Sequence, residues 1–150
     1  MTQEDKDLLL KDLCPRLPYN PLVEYKGEFY NVLGIAHGRL VLCKPFMSYT
    51  LNEHPLVEEV KPYLFPLSSM TEEQRIELYK VLGLGYESHY HLSKEWEDFN
   101  DSIDNNGLFL PASWVSDLNK MYNWLNKNHF DYQGLIPMGL AIDATGKNIY

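Results

Sequence analysis

Apolar positions in the last third of the chain recur at helical spacing. Trp114, Leu118, Met121 and Leu125 follow one another at four- and three-residue steps, and Val115, Tyr122 and His129 extend the stripe on a neighbouring face. One side of this helix must be covered, and Ser113 stands where its cap belongs. Trp124, beside Asn123 and Lys127, falls at the edge of the stripe and is expected to be partly exposed. An opening helix is predicted from Thr2 to Leu13. Thr2 caps it, Glu4, Asp5 and Asp7 meet the positive end of its dipole, and Pro15 stops it.

From Leu22 to Phe46 the pattern changes to strands. Val23 and Tyr25 alternate with polar neighbours, Gly27 breaks the run, and Phe29 to Ala36 forms a second strand. His37-Gly38 makes a two-residue turn into a third strand, Arg39 to Lys44. Pro45 to Pro55 reads as a loop. Pro62 forbids a continuous helix over Leu56 to Leu64, which reads as a short strand or turn-like segment packing across the hairpin and closing a small barrel-like sheet. Phe65 to Met70 is a connector.

Thr71-Glu72-Glu73-Gln74 is a capping-box helix start, with Ile76, Tyr79 and Leu82 turned inward and an end at Gly83 or Gly85. Tyr86 to Leu92 is expected as a strand, and Ser93 as the cap of an acidic helix running from Lys94 to about Ile103. Asn105-Asn106-Gly107 is a turn, and Asp143 to Tyr150 is expected to be loosely held. The fold class is therefore α+β: an N-terminal helix, a small antiparallel sheet of SH3-like character, and a C-terminal helical half. Residues 1–150 read as one domain with a seam near 65–70.

Composition narrows the function classes. At 150 residues the chain is long enough to bury roughly 70% of the surface it exposes unfolded. Eleven Tyr, 6 Phe and 3 Trp supply ample core material. The first residues are acidic where a secretion signal is basic, and no apolar run nears the ~20 residues of a membrane helix. Cys14 and Cys43 are expected as buried, reduced thiols, which points to the cytoplasm. The net charge of −8, with 13 dispersed basic residues, argues against a phosphate-backbone binder. Neither nucleic acid nor membrane is expected as a partner, and no cofactor is called for.

Three constellations carry candidate chemistry. On a strand, His89 and His91 would point to the same face as a pair of metal ligands, with His129 or Asp131 as third ligand and Glu87 as general base of a metal-assisted hydrolase. The surrounding sequence lacks a His-Glu-x-x-His spacing. His129-Phe130-Asp131 offers an oriented imidazole, but a histidine at a helix C-terminus and an aspartate at a turn explain the same residues structurally. Ser102 to Ser113 departs from a calcium loop at its first and twelfth positions. Trp96, Trp114, Trp124 and the tyrosines form the third candidate, an aromatic recognition surface centred on Trp124, His129, Asp131 and Tyr132.

Phe65-Pro66-Leu67-Ser68-Ser69-Met70-Thr71-Glu72-Glu73-Gln74 resembles a family of small uncharacterised proteins from gut Bacteroidales and their phages or prophages. So do Trp124-Leu125-Asn126, His129 to Tyr132, Gly134-Leu135-Ile136 and Gly139-Leu140-Ala141, and Asp7 to Leu17 fits as well. The chain departs from that family at Gln133, where the family carries Arg. The resemblance brings no activity, cofactor or catalytic residue; it implies a bacterial or phage cytoplasmic accessory protein. The favoured reading is a non-enzymatic protein that binds another macromolecule, foremost a protein, through aromatic surface near the C-terminal block. The alternative is the metal-assisted hydrolase of His89, His91 and His129 or Asp131.

Overall fold

Helix α1 (Gln3–Arg16) opens on a capping box: the Asp5 amide donates to Thr2 Oγ1 at 3.1 Å, and the Thr2 amide donates to Asp5 Oδ2 at 2.8 Å. Its buried face is Leu9, Asp12, Leu13 and Arg16, one stripe at three- and four-residue steps. Pro15 does not stop the helix as predicted. It sits in the last turn, its missing N–H frees only the carbonyl of exposed Lys11, and the chain continues into a 3-10 turn over Leu17–Tyr19. The computed structural model, which describes residues 1–45, 54–83, 94–109 and 118–150, divides into two units. The first comprises Met1–Leu64, Leu135–Ala144 and Ile149–Tyr150; the second comprises Phe65–Gly134 and Thr145–Asn148.

In the first unit, strands β1 (Leu22–Tyr25), β2 (Glu28–Ala36) and β3 (Arg39–Cys43) form an antiparallel meander. Both turns are two residues long and left-handed at both positions. Lys26 and Gly27 have φ +52° and +80°, and His37 and Gly38 have φ +52° and +72°. A 3-10 turn over Val57–Glu59 leads into β4 (Lys61–Pro66), which pairs antiparallel with β1 through Val23↔Pro62 and Glu24↔Lys61. β6 (Ile142–Asp143) pairs with β4 in parallel, through Tyr63↔Ile142 and Leu64↔Asp143. Leu9, Leu13, Val23, Val32, Leu40, Leu42, Leu64 and Leu135 are among the residues of this unit's core.

The second unit takes over at Phe65. There the end of β4 pairs in parallel with β5 (Phe130–Asp131), and the Phe65 amide donates to the His129 carbonyl at 2.9 Å. Helix α2 (Glu72–Val81) starts on the expected capping box of Thr71 and Gln74, and Gly83 follows its end at φ +75°. Helix α3 (Lys94–Asp104) buries Phe99 and Ile103 and is followed by a turn with Asn106 at φ +57°. Helix α4 (Leu118–Lys127) buries Met121, Trp124 and Leu125. These side chains join Leu67, Met70, Leu78, Tyr79, Leu82 and Phe130 in the unit's core. The Tyr79 hydroxyl donates to Asn100 Oδ1, and Arg75 pairs with Asp104. Burial pushes the Tyr79 phenol up to about 12, against the lowering influence of Arg75.

The architecture is α+β, with six strands among the described residues and mixed pairing: the antiparallel part is as expected, and the two parallel pairings of β5 and β6 are additions. Two further expectations are corrected. Cys43 is buried as predicted, but Cys14 is exposed on the polar side of α1. The stretch from Asp143 onward is exposed over Thr145 to Asn148 but anchored on either side: Ala144 is fully buried with its amide on the Leu64 carbonyl at 2.8 Å, and Tyr150 bonds to β1 and β4 through its hydroxyl. The strand expected at Tyr86 to Leu92, the caps Ser93 and Ser113, Trp114 and Val115, and most of the loop before Pro55 lie outside the described residues.

Candidate functional site

The residues singled out at the C-terminal block are all set by the end of α4. Asn128 donates its amide to the Trp124 carbonyl at 3.0 Å, His129 follows in the left-handed region at φ +58°, and the chain then enters β5. Histidine is among the residues that reach this conformation more readily than most, and it lets the helix stop without a glycine. His129 and Asp131 are both buried, and Asp131 lies on β5 opposite Pro66, not at a turn.

Trp124 is not at an exposed edge. It is 6% exposed and stacked on Phe130 with ring centroids 5.7 Å apart and planes 13° apart. The buried stripe is centred between positions 124 and 125, which turns Tyr122 outward instead, at 39% exposure. The indole N–H of Trp124 is buried with no hydrogen-bond partner among the described residues. Tyr132 is half-buried. Its hydroxyl donates to Asn126 Oδ1 at 3.1 Å and its ring lies 5.2 Å from that of Tyr122. The block thus holds a buried Trp124–Phe130 stack and the buried His129 and Asp131, with Tyr122 exposed and Tyr132 half-buried.

Phe130 also reaches a cavity that the sequence did not reveal. Phe65 and Phe130, with ring centroids 6.3 Å apart, share its wall, and Ser69, Thr71, Gln74, Thr145 and Gly146 complete it. Its volume is about 200 Å³. The rim is polar and fixed: Ser69 Oγ donates to the Pro66 carbonyl at 2.7 Å, and Thr71 Oγ1 accepts from the Gln74 amide at 3.3 Å. An aromatic wall under a rim of hydroxyls suits an apolar or single-ring group carrying one polar atom. The capping box, Phe65 and Phe130 were each legible separately; their convergence depends on the parallel pairing of β4 with β5.

His89, His91 and Glu87 lie outside the described residues. Among the described residues no group of three or more His, Cys, Asp or Glu side chains gathers as a metal site would require. No helix among them is long and apolar enough to cross a membrane.

No family model, curated protein or solved structure matches the chain.

Proposed function

We propose that this chain is a non-enzymatic accessory protein of bacterial or phage cytoplasm that binds a partner protein, accepting one of the partner's side chains in the cavity walled by Phe65 and Phe130. The observation that carries this reading is the size and lining of that cavity. Pockets for cofactors and drug-sized ligands run to about 300–1,000 Å³, whereas interface anchors are single side chains seated in small pockets. At about 200 Å³ the cavity matches the second kind. The exposed Tyr122 ring, packed against Tyr132, is a second aromatic surface of the sort that interfaces favour. The net charge of −8 favours a partner that is basic around its anchor.

The test is capture from a Bacteroidales host lysate with quantitative mass spectrometry, using the parent chain and Thr145→Trp. Thr145 is exposed at the cavity mouth, so a tryptophan there blocks entry without touching the core. One protein enriched near stoichiometry by the parent and lost with the blocked cavity, while the melting temperature is unchanged, is the expected result. Equal capture by both chains removes the cavity as the anchor, and capture of nothing by the parent removes the reading.

A further inference from the structure

The ladder between β1 and β4 stops one step short of where its register leads. Its pairs are Val23↔Pro62 and Glu24↔Lys61, so the next step sets Leu22 opposite Tyr63. Pro62 has no N–H, so Val23↔Pro62 is a non-hydrogen-bonded pair. In an antiparallel ladder the two kinds alternate, and Leu22↔Tyr63 would be a bonded pair closed by the Leu22 amide on the Tyr63 carbonyl. That bond is replaced. The Tyr150 hydroxyl donates to the Tyr63 carbonyl at 2.8 Å and accepts from the Leu22 amide at 3.3 Å.

One phenol thus stands between two backbone groups that would otherwise satisfy each other. About half of Tyr150 is exposed, at 45%, so the residue reaches in from the surface by its hydroxyl end. Burial of that end raises the phenol's ionisation well above the ordinary tyrosine range, consistent with a hydroxyl that stays protonated and donating.

We propose that Ile149–Tyr150 is a detachable strap, and that its release lengthens the β1–β4 ladder by the pair Leu22↔Tyr63. With the strap docked, the phenol serves both backbone groups. With the strap released, those groups close on each other. Neither state leaves a buried backbone group unpaired, so the exchange avoids the penalty that normally forbids pulling a hydrogen-bonded side chain from a sheet. The element therefore has two satisfied arrangements, the property a conformational switch requires. A partner that takes up the Tyr150 side chain would draw the first unit into the longer-ladder state.

The decisive measurement is the through-hydrogen-bond scalar coupling between the Leu22 amide nitrogen and the Tyr63 carbonyl carbon in labelled protein. The parent chain should show none, because the phenol intervenes. Tyr150→Phe keeps the ring and removes the hydroxyl, and the coupling should then appear, with Leu22 amide exchange within about ten-fold of the parent. Tyr150→Ala should show the same coupling with the ring gone. A coupling already present in the parent overturns the proposal. So does a folded Tyr150→Phe chain that lacks the coupling and whose Leu22 amide exchanges on the order of a hundred-fold faster; the hydroxyl would then be a fixed brace. Should Tyr150→Ala not fold, the Phe variant alone decides.

Discussion

Arg16 grips Asp12 one helical turn earlier with two parallel hydrogen bonds, Nε to Oδ2 at 2.9 Å and Nη2 to Oδ1 at 2.7 Å, and both side chains are fully buried. The pair occupies the stripe of α1 that otherwise carries leucines. Removing one partner strands a buried charge, so Asp12→Ala is expected to cost about 3–5 kcal/mol. Replacing both with apolar residues, Asp12→Leu with Arg16→Met, should cost markedly less than either single change. Urea denaturation of the parent, Asp12→Ala, Asp12→Leu, Arg16→Met and the double variant checks this, and a double variant no better than the singles would refute it.

Trp124 belongs to the core, so truncation to alanine should remove about 3–5 kcal/mol of stability. Trp124→Phe should cost much less, because its indole N–H has no partner among the described residues to lose. Chemical denaturation read by circular dichroism separates the two. A Trp124→Ala chain as stable as the parent would return the indole to the surface.

The two hairpin turns place different residues in the same strained conformation. At His37, φ +52°, asparagine is the better occupant of the first turn position, and His37→Asn should stabilise by about 0.5 kcal/mol. Gly38→Ala should destabilise by about 1–2 kcal/mol at φ +72°, although the space around a new Cβ is open. The cost is conformational and not steric, so relieving neighbouring contacts should not recover it. Thermal melts of both variants give the signs.

Alkaline pH should weaken the second unit through Tyr79. A phenol whose ionisation is raised by folding contributes stability that is fully present below its unfolded value of 10.0 and is lost as pH rises through about 12. The Tyr79→Phe chain should therefore show a shallower fall in urea midpoint across that window than the parent. Identical slopes would mean that Tyr79 ionises in the folded protein as it does unfolded.

Local chemistry was legible in the sequence. Thr2 and Thr71 announce capped helices, and His37-Gly38 announces a two-residue turn, because each signal involves residues within one helical turn of one another. Pairings between distant residues were not legible. β5 and β6 are two residues each and take their partners from β4, more than sixty positions away, so no periodicity marks them. The exchange of Trp124 for Tyr122 on the buried face has a similar origin. Both are aromatic and two positions apart, and it is Trp124 that turns inward, where it stacks on Phe130. The tail misled for the opposite reason: its polar composition describes Thr145 to Asn148 well and says nothing of a tyrosine hydroxyl bonded into the sheet.

The register of β2 on β3 shifts between Val32 and Gly34, so Val32↔Leu42 is followed by Gly34↔Val41 and Leu33 faces no partner of its own. The strand is therefore one residue longer than its ladder. Val32 and Ile35, an odd number of positions apart, both turn toward the core only because that surplus is absorbed between them. Leu33, 52% exposed, is the surplus itself. A chain that lost it would run as a regular hairpin with every inward residue and the His37-Gly38 turn still in phase. One position of this sheet thus tolerates a change of length, where the same deletion elsewhere in the strand would turn the core inside out.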